Sequence, residues 1–284
     1  MNQRLYKYTA IGRPLDPAWP RNKAVLILMP VAALAGLGWS LRSGAGIWPA
    51  LQDALIFALA AFGTWALARE LLPDDHAAAF VSMTLGFLAT MAYLTPAVLA
   101  LFTTLGLVRV VNRSTGMAAR STDSLLLTGL VVWTVYASRC PWFGAVAALA
   151  FFLDGVLKKP KKRQWLFSLV CMGSMVVFIV DHDVVWWPVF VPDSLMEWVA
   201  VLVLLLFSMN LLLLKKIHSK GDNGHERLEP DRVKAGMAIG MLATLQGLDH
   251  MSQVILLVAS IGGLCIGITV RRAFKSPAKG LPAS

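Results

Sequence analysis

Three features of this 284-residue sequence predict an all-α, polytopic membrane fold. Hydrophobic residues make up 57% of the chain and charged residues 15%, against roughly 45–50% and about 25% in an ordinary soluble domain. The apolar residues come in blocks of 14 to 21 with almost no charge, the pattern of helices solvated by lipid. Lys and Arg collect in alternate connecting segments, as the positive-inside rule requires of a chain that crosses repeatedly. The longest polar stretch, 215–234, is too short to enclose a core of its own. Chemistry is therefore expected between helices or at the membrane surface.

Taken in order, a basic tail (1–23) leads into ten apolar segments: 24–41, 47–67, 77–94, 96–111, 124–138, 141–157, 165–180, 195–214, 235–248 and 251–270. The tail and the first apolar run are both too long for a cleaved signal peptide. The run 77–111 would reach about 52 Å as one helix, against a hydrocarbon core of about 30 Å. Pro96 and Pro141 mark the expected breaks, and Pro49 opens the second segment. A tail, 271–284, follows the last segment.

With the N-terminus cytoplasmic, inner segments carry 24 Lys/Arg and outer segments two, Arg42 and Arg139. Removing one span would turn every later basic loop outward, so ten spans with both termini inside is the expectation. Trp39, Trp48, Trp142, Trp186, Trp187 and Trp198 fall at outer ends, Trp19 and Trp165 at inner ones, where amphipathic rings sit at headgroup level. Trp65 and Trp133 lie inside spans and read as packing residues. A bacterial inner membrane is the expected location.

The membrane unit, 24–270, can be divided into 24–139 and 140–270. Five spans per half would invert the second half, the geometry of inverted-repeat transporters. The one echo is Asp74-Asp75-His76 after the second span and Asp181-His182-Asp183 after the seventh. The competing reading is that any ten-helix chain can be halved. Gly236/Gly240 and Gly263/Gly267 are small-xxx-small pairs at one depth, and predict a close hairpin of the last two helices.

Several acids have a capping explanation: Ser194 with Glu197, Asp74 or Asp75, Thr122 or Asp123, Asp231 and Asp249. Asp154 precedes Lys158 by four residues, the spacing of a helix-face ion pair. Asp53 resists such a reading, because it lies inside the second span with no cation near it in sequence. Asp181, His182 and Asp183 end the seventh helix, where the helix dipole disfavours carboxylates. Asp249 and His250 occupy the turn before the tenth.

Carboxylate beside imidazole suits a divalent transition metal or a proton relay. If the seventh, ninth and tenth helices converge, Asp181, His182, Asp183, Asp249 and His250 could share one site. Incidental histidines in acidic loops are the plain alternative. Gly247-Leu248-Asp249-His250 is similar to a short segment of the nickel permease family, but that family's upstream histidine is replaced here by Ala243-Thr244-Leu245-Gln246. No nickel site is carried over.

A second candidate lies on the inner face. Glu70, Asp74, Asp75 and His76 follow the second span, and Asn112, Arg113 and Asp123 follow the fourth, with Arg69, Arg109 and Arg120 among them. Carboxylates holding Mg2+ beside arginines are how proteins handle phosphates. A tight hairpin of the third and fourth spans would bring the two loops together. The run 158–163 is polybasic and fits anionic lipid; 215–234, with His218 and His225, reads as a solvated linker. Three widely spaced cysteines exclude a disulfide framework.

Transport leads on these residues, with Asp53 as the coupling carboxylate. An enzyme acting on a lipid or isoprenoid phosphate is the alternative, and a non-catalytic anchor or assembly subunit a third. The bilayer itself is the expected partner, with self-association or membrane-complex partners open. The net charge of +10 is read as topology, not as nucleic-acid binding.

Overall fold

The computed structural model describes residues 8–93, 98–183, 191–222 and 227–275. Among these are ten α-helices and no strand: α1 Pro20–Arg42, α2 Ile47–Leu71, α3 His76–Ala92, α4 Val98–Asn112, α5 Ser121–Ser138, α6 Trp142–Val156, α7 Gln164–Asp181, α8 Leu195–Leu213, α9 Pro230–Leu245 and α10 Met251–Lys275. A single 3-10 turn, Leu248–His250, joins α9 to α10. Five helical stretches are long and apolar enough to cross a membrane: α1, α2, α7, α8 and Leu248–Phe274. Helices α3, α4 and α6 are apolar but shorter.

Burial sorts them into core and rim. The apolar window of α10 is 78% buried and that of α2 is 56% buried, whereas α1, α7 and α8 reach only 22%, 28% and 17%. Helix α2 packs on α1, α3, α4 and α10, and α10 packs on α3 and α8 as well. Helices α4 to α7 complete the bundle, with α9 seated on α4 and α6. The rim turns Leu34, Leu169 and Leu212 outward, each more than 60% exposed, as helices surrounded by lipid do. Within the core, buried hydroxyls bond across helices: Ser82 Oγ donates to the Ser260 carbonyl of α10 at 2.8 Å, and the Thr103 and Thr134 hydroxyls share a hydrogen bond of 2.8 Å. Polar groups inside an apolar bundle need such internal partners.

Three local expectations are corrected. The α9 and α10 glycines do not join those two helices to each other. A Cβ on Gly263 or Gly267 would strike the α3 backbone at Ser82 or Ala78, while Gly236 abuts Asn112 and Gly240 abuts Leu71. Small residues let α10 approach α3 because that interface is backbone against backbone. The α3–α4 hairpin is replaced by another arrangement: α3 packs on α2 and α10, and α4 packs on α2, α5, α6 and α9. Trp65 is buried as expected, but Trp133 is 64% exposed and faces outward. The break expected at Pro96, and the interfacial Trp186 and Trp187, fall outside the described residues.

The caps follow sequence chemistry more closely. Asp75 caps α3, accepting the Ala78 N–H at 3.3 Å. Ser194 accepts the Glu197 N–H at 3.3 Å, and Glu197 returns a bond to the Asp193 N–H at 2.9 Å. Asp231 is not a cap, since α9 begins at Pro230 behind Glu229.

Candidate functional site

The starts of the odd-numbered helices and the ends of the even-numbered ones meet at one end of the bundle. Three carboxylate centres organise it, each built from residues far apart in sequence. Glu70, at the end of α2, is 1% exposed. Its Oε1 accepts Arg13 Nη1 at 3.0 Å and Arg109 Nε at 3.1 Å, while Asn112 Nδ2 donates to its backbone carbonyl at 2.7 Å. Arg13 also grips Asp222 with Nε at 2.7 Å and Nη2 at 2.5 Å. Burial alone would lower the Arg13 pKa, but the facing carboxylates of Glu70 and Asp222 outweigh it and hold the guanidinium above its ordinary value. Arg13 thereby ties residues 8–16 across the helix ends. Ala10 in that strap donates its N–H to Asp123 at 2.8 Å and accepts Thr115 Oγ1 at 2.6 Å.

Asp154, near the end of α6, is fully buried. Its Oδ1 accepts Arg113 Nε and Arg232 Nη1, both at 2.8 Å, and its Oδ2 accepts Gln164 Nε2 at 3.1 Å. Arg232 also reaches the carbonyls of Val111 and Lys158. The expected Asp154–Lys158 pair is therefore wrong: Lys158 instead meets Glu229 at 3.0 Å. Two arginines outcompete the helix neighbour because Asp154 is cut off from solvent, where a lone carboxylate is costly.

Asp74 and Asp75 form the third centre. Asp74 accepts the His218 N–H at 2.9 Å, the Ser219 N–H at 2.7 Å and Ser219 Oγ at 2.6 Å. Burial would raise its pKa, but these donors hold it below the ordinary aspartate value. Asp75 receives Arg271 Nη1 at 3.2 Å. The described residues of the supposed solvated linker after α8 are docked: Ile217, Leu228 and Val233 form a small apolar cluster, and Asp222 donates its N–H to the Ser114 carbonyl, while His225 falls outside the described residues.

Between this docked segment, α8 and α10 opens a cleft of about 500 Å3. Leu213, Leu214 and Ile268 contribute an apolar wall, and Lys215, Lys216, Arg271 and Arg272 a cationic rim, with Asp74 and Asp75 beside them. A second cavity of about 360 Å3 adjoins it, lined by Asp74, His76, His218, Ser219 and Arg271.

The inner-face candidates are thus gathered at one end but divided in role. Glu70, Asn112 and Asp123 belong to ionic and hydrogen-bonded joints, Arg113 to the Asp154 centre, and Asp74, Asp75 and His76 to the cavities. Missing from that set were Arg13, Asp154, Arg232, Lys215, Lys216 and Arg271. The sequence signal of the five cations was charge outside the spans, which the topology rule had already absorbed, and Asp154 had been assigned to Lys158 by helix spacing.

The opposite end is different. Asp53 is half-buried and accepts Ser40 Oγ at 2.6 Å across the α1–α2 contact. His182 lies 3.3 Å from Asp181 and stacks on Phe178, ring centroids 4.1 Å apart; Asp183 takes a left-handed backbone at φ 49°. His250 lies 3.8 Å from Asp249. Asp181, His182, Asp183, Asp249 and His250 are all exposed. The convergence their shared metal site required is not formed, because α7 packs on α5 and α6. Among the described residues no group of three His, Cys, Asp or Glu could hold a metal ion.

No family model, curated protein or solved structure matches this chain.

Proposed function

We propose that this chain is a polytopic membrane protein that binds a phosphate-bearing amphiphile, of the lipid or isoprenoid phosphate class, at the charged end of its bundle. The observation that carries the reading is the cleft: an apolar wall from α8 and α10 beside four cations, with both of its carboxylates already occupied by protein donors. A phosphate would meet guanidinium and ammonium groups while its chain lay along apolar side chains. Retention and chemical conversion of that ligand both fit such a cleft.

The test is equilibrium binding of dodecyl phosphate to the detergent-solubilised full chain. Replacing Lys215, Lys216 and Arg272 by Gln together is expected to weaken binding at least tenfold, about 1.4 kcal/mol. Unchanged affinity in that variant would refute the cleft as the site.

The finer topology is part of the proposal: ten spans in a bacterial inner membrane, both termini and the charged end cytoplasmic, polybasic loops against anionic lipid. The charge count supports it, since 24 of 26 Lys/Arg fall in the segments that ten spans assign to that side. A 5+5 inverted division rests on the Asp-His echo alone. Impermeant thiol reagents on intact cells should spare a cysteine placed at Lys162 and label one at Asp183; the reverse result inverts the orientation.

Transport is the second reading, favoured by a carboxylate within α2 whose contact is a hydroxyl, not a cation. Loss of proton- or cation-dependent uptake in Asp53→Asn, at normal protein level, is its test.

A further inference from the structure

The cleft accounts for one anionic group and leaves the adjoining cavity unused. That cavity, of about 360 Å3, is an open hollow at this end of the bundle. It meets the cleft through two shared residues, Asp74 and Arg271. The basic groups divide between the two spaces. Lys215, Lys216 and Arg272 line the cleft, His76 and His218 line the second cavity, and Arg271 borders both.

The chemistry changes along this path. The cleft has the aliphatic wall, whereas every residue lining the second cavity is polar. An acyl or prenyl chain is thus accommodated on one side only. Both acids of this region already carry donors: Asp74, shared by the two spaces, takes two N–H groups and a hydroxyl, and Asp75, on the cleft side, takes an N–H and Arg271. Asp74 is thus held by neutral donors and draws on none of the lysines or arginines of the two spaces, while Asp75 takes one donor of Arg271. His76 Nδ1 is buried without a hydrogen-bond partner among the described residues, so any donor that this ring offers the second cavity is its Nε2.

Resting on the amphiphile reading of the cleft, we infer that the ligand carries two anionic groups in series, a diphosphate being the simplest. The group nearer the chain sits at Lys215, Lys216 and Arg272, and the outer group at Arg271, His76 and His218.

The full-length protein in detergent is titrated with dodecyl phosphate, dodecyl diphosphate and inorganic pyrophosphate, with protein-free micelles as the blank. Dodecyl diphosphate is expected to bind at least tenfold more tightly than dodecyl phosphate. The double variant His76→Ala with His218→Ala should lose that margin and keep wild-type affinity for dodecyl phosphate. His218→Ala alone, at an exposed position, should lose part of it. Equal affinity of the wild type for both amphiphiles overturns the two-group head and leaves the cleft reading standing. So does an unchanged margin in folded variants. Binding of neither amphiphile overturns both readings. Pyrophosphate binding as tightly as dodecyl diphosphate keeps the doubly anionic head and overturns the amphiphile.

Discussion

The two ends of the bundle use the same residue types under opposite physical conditions. At the charged end the chain crosses over itself: residues 8–16 lie over α2, α4 and α5, and the segment after α8 lies against Asp74 and Ser114. Glu70 and Asp154 are cut off from solvent there, and each is held by two arginines. At the other end Asp181, Asp183 and Asp249 are exposed, and a histidine next in sequence is partner enough for Asp181 and Asp249. A carboxylate solvated by water asks little of the fold. One without that solvent must be supplied with donors, and the fold is shaped around supplying them.

The sharpest way to break this comparison is to remove one acid from each end. Asp154→Ala leaves Arg113 and Arg232 buried without their carboxylate, an expected loss of about 3–5 kcal/mol. It should appear as a much lower thermal midpoint in detergent or as failure to accumulate. Asp249→Ala should stay within about 0.5 kcal/mol of wild type. Asp154→Asn keeps one acceptor oxygen and should fall between them. Similar midpoints for the Asp154→Ala and Asp249→Ala proteins would mean that burial does not divide the two ends.

The same division decided what could be read from the chain. Helix positions follow from apolar run length, and the caps at Asp75 and Ser194 follow from neighbours three residues away. The exposed Asp181–His182 and Asp249–His250 pairs were equally visible, being sequence neighbours. Glu70 and Asp74 were visible as charges beside spans, but their partners were not: Arg13 lies 57 residues from Glu70 and Ser219 lies 145 from Asp74. Asp154 was assigned to Lys158 because spacing within one helix was the only available cue, while its real partner Arg232 is 78 residues away. The glycines misled for the same reason. Their spacing marks a close approach and is silent about which helix approaches.

Asp53 lies between the two regimes and should give the smallest stability effect of the acids with a partner on another helix. It is half-buried, and its 2.6 Å contact is with Ser40, a neutral donor. Asp53→Asn keeps an acceptor oxygen at the same place. The cost is the difference between a charged and a neutral hydrogen bond, about 1 kcal/mol, well below that expected for Asp154→Ala. A folded Asp53→Asn protein can therefore be assayed for flux without the ambiguity that attends the buried acids. If Asp53 carries a proton or accompanies a cation, the neutral isostere abolishes coupled uptake while the thermal midpoint barely moves. If uptake persists at the wild-type rate, Asp53 is a partner for Ser40 at the α1–α2 contact and nothing more. The functional case would then rest on the cleft alone, at the end where the fold has gathered its buried charge.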